Sequence, residues 1–496
     1  MNFICSLIFT LFASTIWLPC VSFTSPPAGP VRYVATTGSD SNDGSLGSPW
    51  RTIQQAANSA PAGSTVSIRG GTYAEFVTIN VSGSVAAGPI TIQSYPGEQA
   101  VIDGSDLAVQ SESSTLIMIR DRSYIVLKNL EIRNLRTSSA DIAPIGIGVF
   151  GANVGIELRN NSLHHIETTY TGQGGNAHGI AVYGDTATAT SGLVIDGNEL
   201  ANLKLGASEA LVVNGNVDGF TISNNRIHDV NNIAIDAIGY EGVAPANDRA
   251  RNGLIADNRI WNVDTSTNPA YGATCNNAVC SGGETSAGGI YVDGGTLITI
   301  ERNLVLDSNI GIELASEHAG KSTDYIVVRN NIVANVDYAG IALGGYGADP
   351  QQPGGGAASF NMVVNNTIYT PAQGQALVAQ YRVTDSTIAN NIVIAAEGSL
   401  RVINDPASYL RNVEAGNLLQ AASGASPNPN NLFVSVARPA NADLRLNPGG
   451  PLQFLHINPG SAAHNQGSPT AAGDQDFDRQ PRVAQAAIDI GADELQ

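Results

Sequence analysis

The chain is 496 residues long, 43% apolar and 14% charged, with 54 glycines and a formal charge of −19. That apolar content excludes a disordered chain, and the negative balance excludes nucleic acid and anionic membranes as partners held by bulk electrostatics. Gly, Asn, Ser, Thr and Val dominate without long amphipathic stretches, so the composition predicts an all-β, turn-rich protein.

In chain order, the first feature is an apolar run from Phe3 to Leu18, followed by the Pro- and Ser-containing stretch Pro19 to Pro30. Such a run is too short to span a bilayer comfortably and fits a signal-peptide core. A basic n-region is missing, since the first arginine is Arg32, and Cys20 follows a poor lipoprotein box. The expectation is a leader over 1–25, a secreted (extracellular or periplasmic) protein, and no membrane insertion. Next comes Tyr33 to Tyr73, where Thr52 to Ser59 predicts a short helix capping the first coil of a solenoid.

The middle of the chain repeats itself. A short apolar run, an asparagine and another apolar residue recur at Asn161, Asn198, Asn225, Asn258, Asn303, Asn331, Asn366 and Asn391. The intervals vary, and the runs alternate with a period of two, so helical repeats and propeller blades fit poorly. A single-stranded right-handed parallel β-helix over 31–420 fits, because its turns can lengthen without disturbing the stack. Asparagines stacked at one corner can hydrogen-bond along the column.

A second element follows each asparagine turn: IGIGVF, HGIAVY, ALVVN, NIAID, GGIYVD, NIGIE and AGIALG. Aligning their I-x-[IVL] cores superposes Phe150, Tyr183, Asn214, Asp236, Asp293, Glu313 and Gly344 as one outward column, acidic at its centre. Glu241, Glu317 and His318 lie just beyond it. Cys275 and Cys280, in a Gly/Ser/Asn-rich stretch without nearby histidines, predict a small loop disulfide rather than a zinc site. From Ala421 the repeats fade into a C-terminal tail or cap, 421–496, expected to pack on the β-helix.

The opening YVATTGSDSNDG…SPWRTIQQA…GTY and the closing DRQPR…IDIGADE resemble the ends of secreted bacterial proteins of the pectate-lyase-like β-helix superfamily. The block LKLGASEALVVNGNV…NNIAIDAIGYEG…GGIYVDGG…GIELASEH is similar to alginate-lyase-like and related polysaccharide-lyase families. The resemblance spans Tyr33 to Glu494 and implies the fold and export more than the reaction, because this fold hosts several chemistries.

What it implies is β-elimination on an acidic, uronic-acid-containing polysaccharide such as alginate, with a lysine base and a Tyr, His or Arg helper, or with calcium. On this chain Lys204 becomes the base and Tyr183 or His178 the assisting proton donor. Glu209, Asp236 and Asp293 would hold Ca²⁺, which favours oxygen ligands. Asn214, Glu313, Arg249 and Arg251 would orient the sugar, and Trp261 and Tyr271, flanking or within the long 258–303 interval, would stack on it. The expected state is a monomer. Two rivals stand beside this reading: a glycoside hydrolase using paired carboxylates of the column, and a non-catalytic carbohydrate-binding β-helix.

Overall fold

The computed structural model describes residues 29–111, 114–276, 279–423, 426–445, 453–468, 472–482 and 487–496. The leader over 1–25 lies outside the described residues. Among those residues the chain forms three parallel sheets of 17, 12 and 11 strands. One coil runs Ile145–Phe150, Val154–Arg159 and Ser162–Thr168, one strand in each sheet, and the next coil begins at His178–Gly184. This is the right-handed parallel β-helix that the repeats predict.

Period-two alternation builds the core. In the 11-stranded sheet Val149, Val182, Val213, Ala237, Val292 and Leu314 pair in register down the inside of the solenoid, and each is fully buried. β-Branched side chains suit this pleated, enclosed surface. At the opposite corner the asparagines form a continuous amide ladder. Asn198 donates to Asn225, Asn225 to Asn258 and Asn258 to Asn303, at 3.0, 3.0 and 2.9 Å. Each amide also donates to a backbone carbonyl of the preceding coil. Buried turns thus find partners for groups that would otherwise go unsatisfied.

The N-terminal end is closed by the helix Ile53–Ser59. Thr52 caps it, its hydroxyl accepting from the Gln55 amide at 3.1 Å, and Ile53, Ala56 and Ala57 face the first coil. The Cys275–Cys280 disulfide is formed and closes a small antiparallel hairpin. Downstream of Ala421 the tail lies across the outer face of the 12-stranded sheet. It covers Trp261, Leu304, Ile332, Tyr369 and Ile394 with Phe433, Leu444 and Ile457. No helix among the described residues is long and apolar enough to cross a membrane.

Candidate active site

The outer face of the 11-stranded sheet carries the acidic residues, but not as one column. Asn214 pairs with Ile238, while Asp236 pairs with Val212 on one side and Tyr291 on the other. Glu313 pairs with Tyr291, and Asp293 with Ala315. The sequence alignment is therefore out by two residues at Asp236 and again at Glu313. Because side chains alternate with a period of two, an even slip leaves every residue on its face and shifts only the column. Two adjacent columns result, one holding Asp236, Tyr291 and Glu313, the other Tyr183, Asn214 and Asp293.

Turns on both sides close over these columns. Glu209 comes from the corner leading into the sheet, and Glu241, Glu317 and His318 from the corner leading out. Asp236 and Asp293 are each 2% exposed and Glu313 8%, whereas Glu241 and Glu317 stand exposed at the rim. Asn214 anchors Glu241, its amide donating to Oε2 at 2.7 Å. The Glu317 backbone N–H donates to Asp293 at 2.8 Å, and Gln380 donates to Glu313 at 3.2 Å. The nearest ligand atoms of Glu241, Asp293 and His318 all lie within 4.8 Å of one another.

Crowding without counter-charge sets the protonation. Among the described residues no lysine or arginine forms an ion pair with any of the six carboxylates; the nearby imidazoles are His178, 3.6 Å from Glu209, and His318, within 4.8 Å of Glu241 and Asp293. Burial, then Glu241, pushes Glu209 up to about 8, and burial pushes Glu313 up to about 7. Burial holds Asp236 and Asp293 well above the ordinary carboxylate range, reinforced by Glu209 for the first and Glu317 for the second. Desolvation and like charge act in the same direction here, and both bias the carboxyls inside the strip toward their protonated forms.

The other sequence candidates are placed as follows. Tyr183 borders the strip, its hydroxyl pushed up by burial and by Glu209. His178 stands edge-on to it, 6.1 Å between ring centres, and burial lowers its imidazole to about 4. Tyr271 lies in the field of the strip, its hydroxyl pushed up to about 12 by burial and by Glu209, Glu317 and Asp236. Lys204 is elsewhere. It pairs with Glu167 at the end of the 12-stranded sheet and lines a different groove.

Trp261 is not a wall residue: it is fully buried, stacked on His228 at 4.2 Å beneath the tail. Arg249 is spent on the carbonyls of Gly294, Gly295 and Ser322 and on Asp324. Arg251 is held by Asn216 and Asp218, so neither guanidinium meets the strip. Tyr291 and Gln380 were not singled out from sequence. Tyr291 sits two residues before Asp293, and a correct register would have placed it in the column of Asp236.

A cation fits this donor set. Glu241, Asp293 and His318 converge, and the side-chain oxygens Oδ1 of Asn214 and Asp236 are buried without a hydrogen-bond partner. A divalent ion would be held by these groups and would supply charge neutralisation.

A family model described as "Pel9A-like, right handed beta helix region" matches residues 32–243, and one described as "Right handed beta helix region" matches 145–352. The uncharacterized protein YwoF of Bacillus subtilis is 41% identical over 382 residues, covering 76% of this chain and 77% of that protein. Pectate lyase PEL9 of Emericella nidulans is 27% identical over 186 residues, 36% of this chain and 43% of that protein. The GH136 lacto-N-biosidase from Eubacterium ramulus shares the fold, with a TM-score of 0.55 at 14% identity over 79% of this chain and 68% of its own. Asp293 and Glu313 lie beyond the first family match and within the second.

Proposed function

The chain belongs to the pectate-lyase-like right-handed β-helix superfamily, and on that premise we propose that it is an exported carbohydrate-active enzyme cutting a polysaccharide by carboxylate acid–base chemistry. One observation carries the reading: a buried Asp293, whose carboxyl burial and Glu317 push up, converges with an exposed Glu241 fixed by Asn214, their nearest ligand atoms within 4.8 Å. Glycosidic hydrolysis needs one protonated and one ionised carboxyl flanking the bond. Double displacement, which retains the anomeric configuration, needs its two carboxyls within about 5–5.5 Å, and Glu241 and Asp293 lie inside that reach.

In this reading Asp293 donates its proton to the departing glycosidic oxygen, and Glu241 attacks the anomeric carbon. The first sugar leaves, and water, deprotonated by Asp293, then releases the second. Burial, with the neighbouring carboxylates Glu317, Glu241 and Glu313, favours the protonated form of Asp293. Tyr183 and Tyr271 offer rings and hydroxyls to the sugar.

A second reading is favoured by the convergence of Glu241, Asp293 and His318 and by the pectate lyase relative. There the same groups would hold Ca²⁺ or another divalent ion, and a uronate polymer would be cut by β-elimination. Incubation with neutral glycans, pectate and alginate decides between them. Hydrolysis predicts new reducing ends without ultraviolet absorbance of an unsaturated product, insensitivity to chelator, and loss of activity in Asp293→Asn and Glu241→Gln. A chelator-sensitive unsaturated product would overturn it in favour of elimination.

A further inference from the structure

The acidic strip has a wall on each side. On the corner leading in, the 264–287 loop sets Tyr271 in the field of Glu209 and Asp236. Pro269 and the Cys275–Cys280 disulfide of the same loop line the neighbouring groove that holds Lys204, so this loop stands between two grooves. On the corner leading out, the wall is the Gly- and Pro-rich loop 344–356. It leaves the strand Ala339–Leu343, which pairs with the strand of Glu313 as the next coil.

Arg382 holds this second loop in one shape. Its guanidinium donates to the Gly356 carbonyl at 2.8 Å, to that of Ala348 at 3.0 Å and to that of Gly347. A planar fork with five N–H groups can serve several carbonyls at once. The Gly347 N–H donates to the Gly354 carbonyl at 2.9 Å and closes the loop on itself. The Gly354 N–H donates to the Glu317 carbonyl at 2.7 Å, which fastens the loop to the rim of the strip.

Tyr346 rests on that anchor point. Gly354 has a φ of +79°, and a Cβ there would come within 2.3 Å of the Tyr346 ring, so the ring lies directly against the glycine backbone. The rest of the side chain faces water, and Tyr346 is 50% exposed. Among the described residues its hydroxyl has no hydrogen bond, and no aromatic ring or cation stacks on its ring. The exposed rings of Tyr325 and Phe360 differ, since they stack on each other at 5.4 Å. Burial and the charges of Glu317, Asp293 and Glu313 push the Tyr346 hydroxyl up to about 12, in keeping with a ring that borders the strip.

We propose that Tyr346 is a sugar-binding platform of the strip, seating the C–H face of a neutral pyranose unit; this rests on reading the strip as the cutting site. Two coils separate Tyr346 from Asp293, ~10 Å along the solenoid at ~4.8 Å per coil. The ring therefore meets a neighbouring unit of the glycan rather than the reacting one. An aromatic side chain with a polar tip offers both an apolar face and a hydrogen bond, and one already fixed in place needs little further ordering when a ligand arrives. The local charge favours a neutral sugar. A uronate on this ring would bring its carboxylate toward Glu317, Asp293 and Glu313, while Arg382 is turned into the loop carbonyls.

Affinity electrophoresis of the full chain tests it, run with chelator in gels holding a mixed-linkage β-glucan, a galactomannan or polygalacturonate. The expected result is retention by at least one neutral glycan over polygalacturonate. Tyr346→Ala should weaken that retention about fivefold or more, the size of an aromatic contact, without lowering the melting temperature. Tyr346→Phe keeps the ring and should keep the retention, and Tyr325→Ala should leave it unchanged. Retention by polygalacturonate alone or by no glycan, an unaffected Tyr346→Ala, a Tyr346→Phe as weak as Tyr346→Ala, or a loss in Tyr325→Ala instead would overturn the proposal. The gels read binding alone. If Asp293→Asn still cuts while retention depends on Tyr346, the acid assignment fails and the platform stands; the reverse pair of results removes the platform alone.

Discussion

Asp236 has a carboxyl oxygen buried without a hydrogen-bond partner and is surrounded by Glu209, Asp293, Glu317 and Glu241. A carboxyl whose native pKa is raised has no ionisation effect on stability where it is protonated in both states, and costs stability as pH climbs past the unfolded value of about 3.9. Asp236→Asn removes that cost. Its melting temperature should exceed that of the native chain at pH 8, and the difference should vanish near pH 4; a pH-independent difference would disprove the assignment. At this scale the sequence was partly legible. Residue types and faces were right, because alternation fixes the face. The column was not, because I-x-[IVL] patterns recur every two residues and give the register no unique anchor. Lys204 misled for a related reason. It precedes Glu209 by five residues, but a corner of the solenoid lies between them, and the two side chains enter different grooves.

The amide ladder is the element whose failure propagates. Asn258 accepts from both the backbone and side-chain nitrogens of Asn225, and it donates to Asn303 and to the Ile222 carbonyl. Asn258→Ala leaves several of these groups unpaired in a dry corner. It should destabilise the fold by at least about 3 kcal/mol, since each buried orphan costs about 1–3 kcal/mol. Asn417, half-buried at the last rung, should cost only about 1 kcal/mol when changed to alanine. Urea denaturation of the two variants reads the contrast. Ladder, capping helix and disulfide were all legible from local signals: a repeated Asn, a Thr N-cap and two close cysteines. The long 264–287 loop was legible as a wall, yet nothing in its sequence showed that it divides two grooves.

At the scale of the whole molecule the tail is the part least visible in sequence, because its contacts have no repeat to announce them. Its polar centre is His456, which reaches Asp478 and Asp493. Burial works against its charge, but the Asp478 hydrogen bond and the nearby Asp493 outweigh it and raise the imidazole to about 9. A raised histidine contributes stability that is complete below about 6.5 and is lost as pH rises through about 9. The melting temperature should therefore fall between pH 6.5 and 9, and a His456→Gln variant should lack that portion of the decline.

The tail also changes what kind of object the solenoid is. A stack of coils touches only its neighbours, so it can unravel one rung at a time from an open end. Here Arg479 reaches Asn224 and Asp257, Asn330 holds the Ala472 carbonyl and Asn390 holds that of Ser468. One segment thus spans the amide ladder from Asn225 to Asn391 and is fastened at the rungs of Asn225, Asn258, Asn331 and Asn391. Fraying of the C-terminal coils must first release this strap, so these coils should exchange their amide hydrogens together rather than in order from the end.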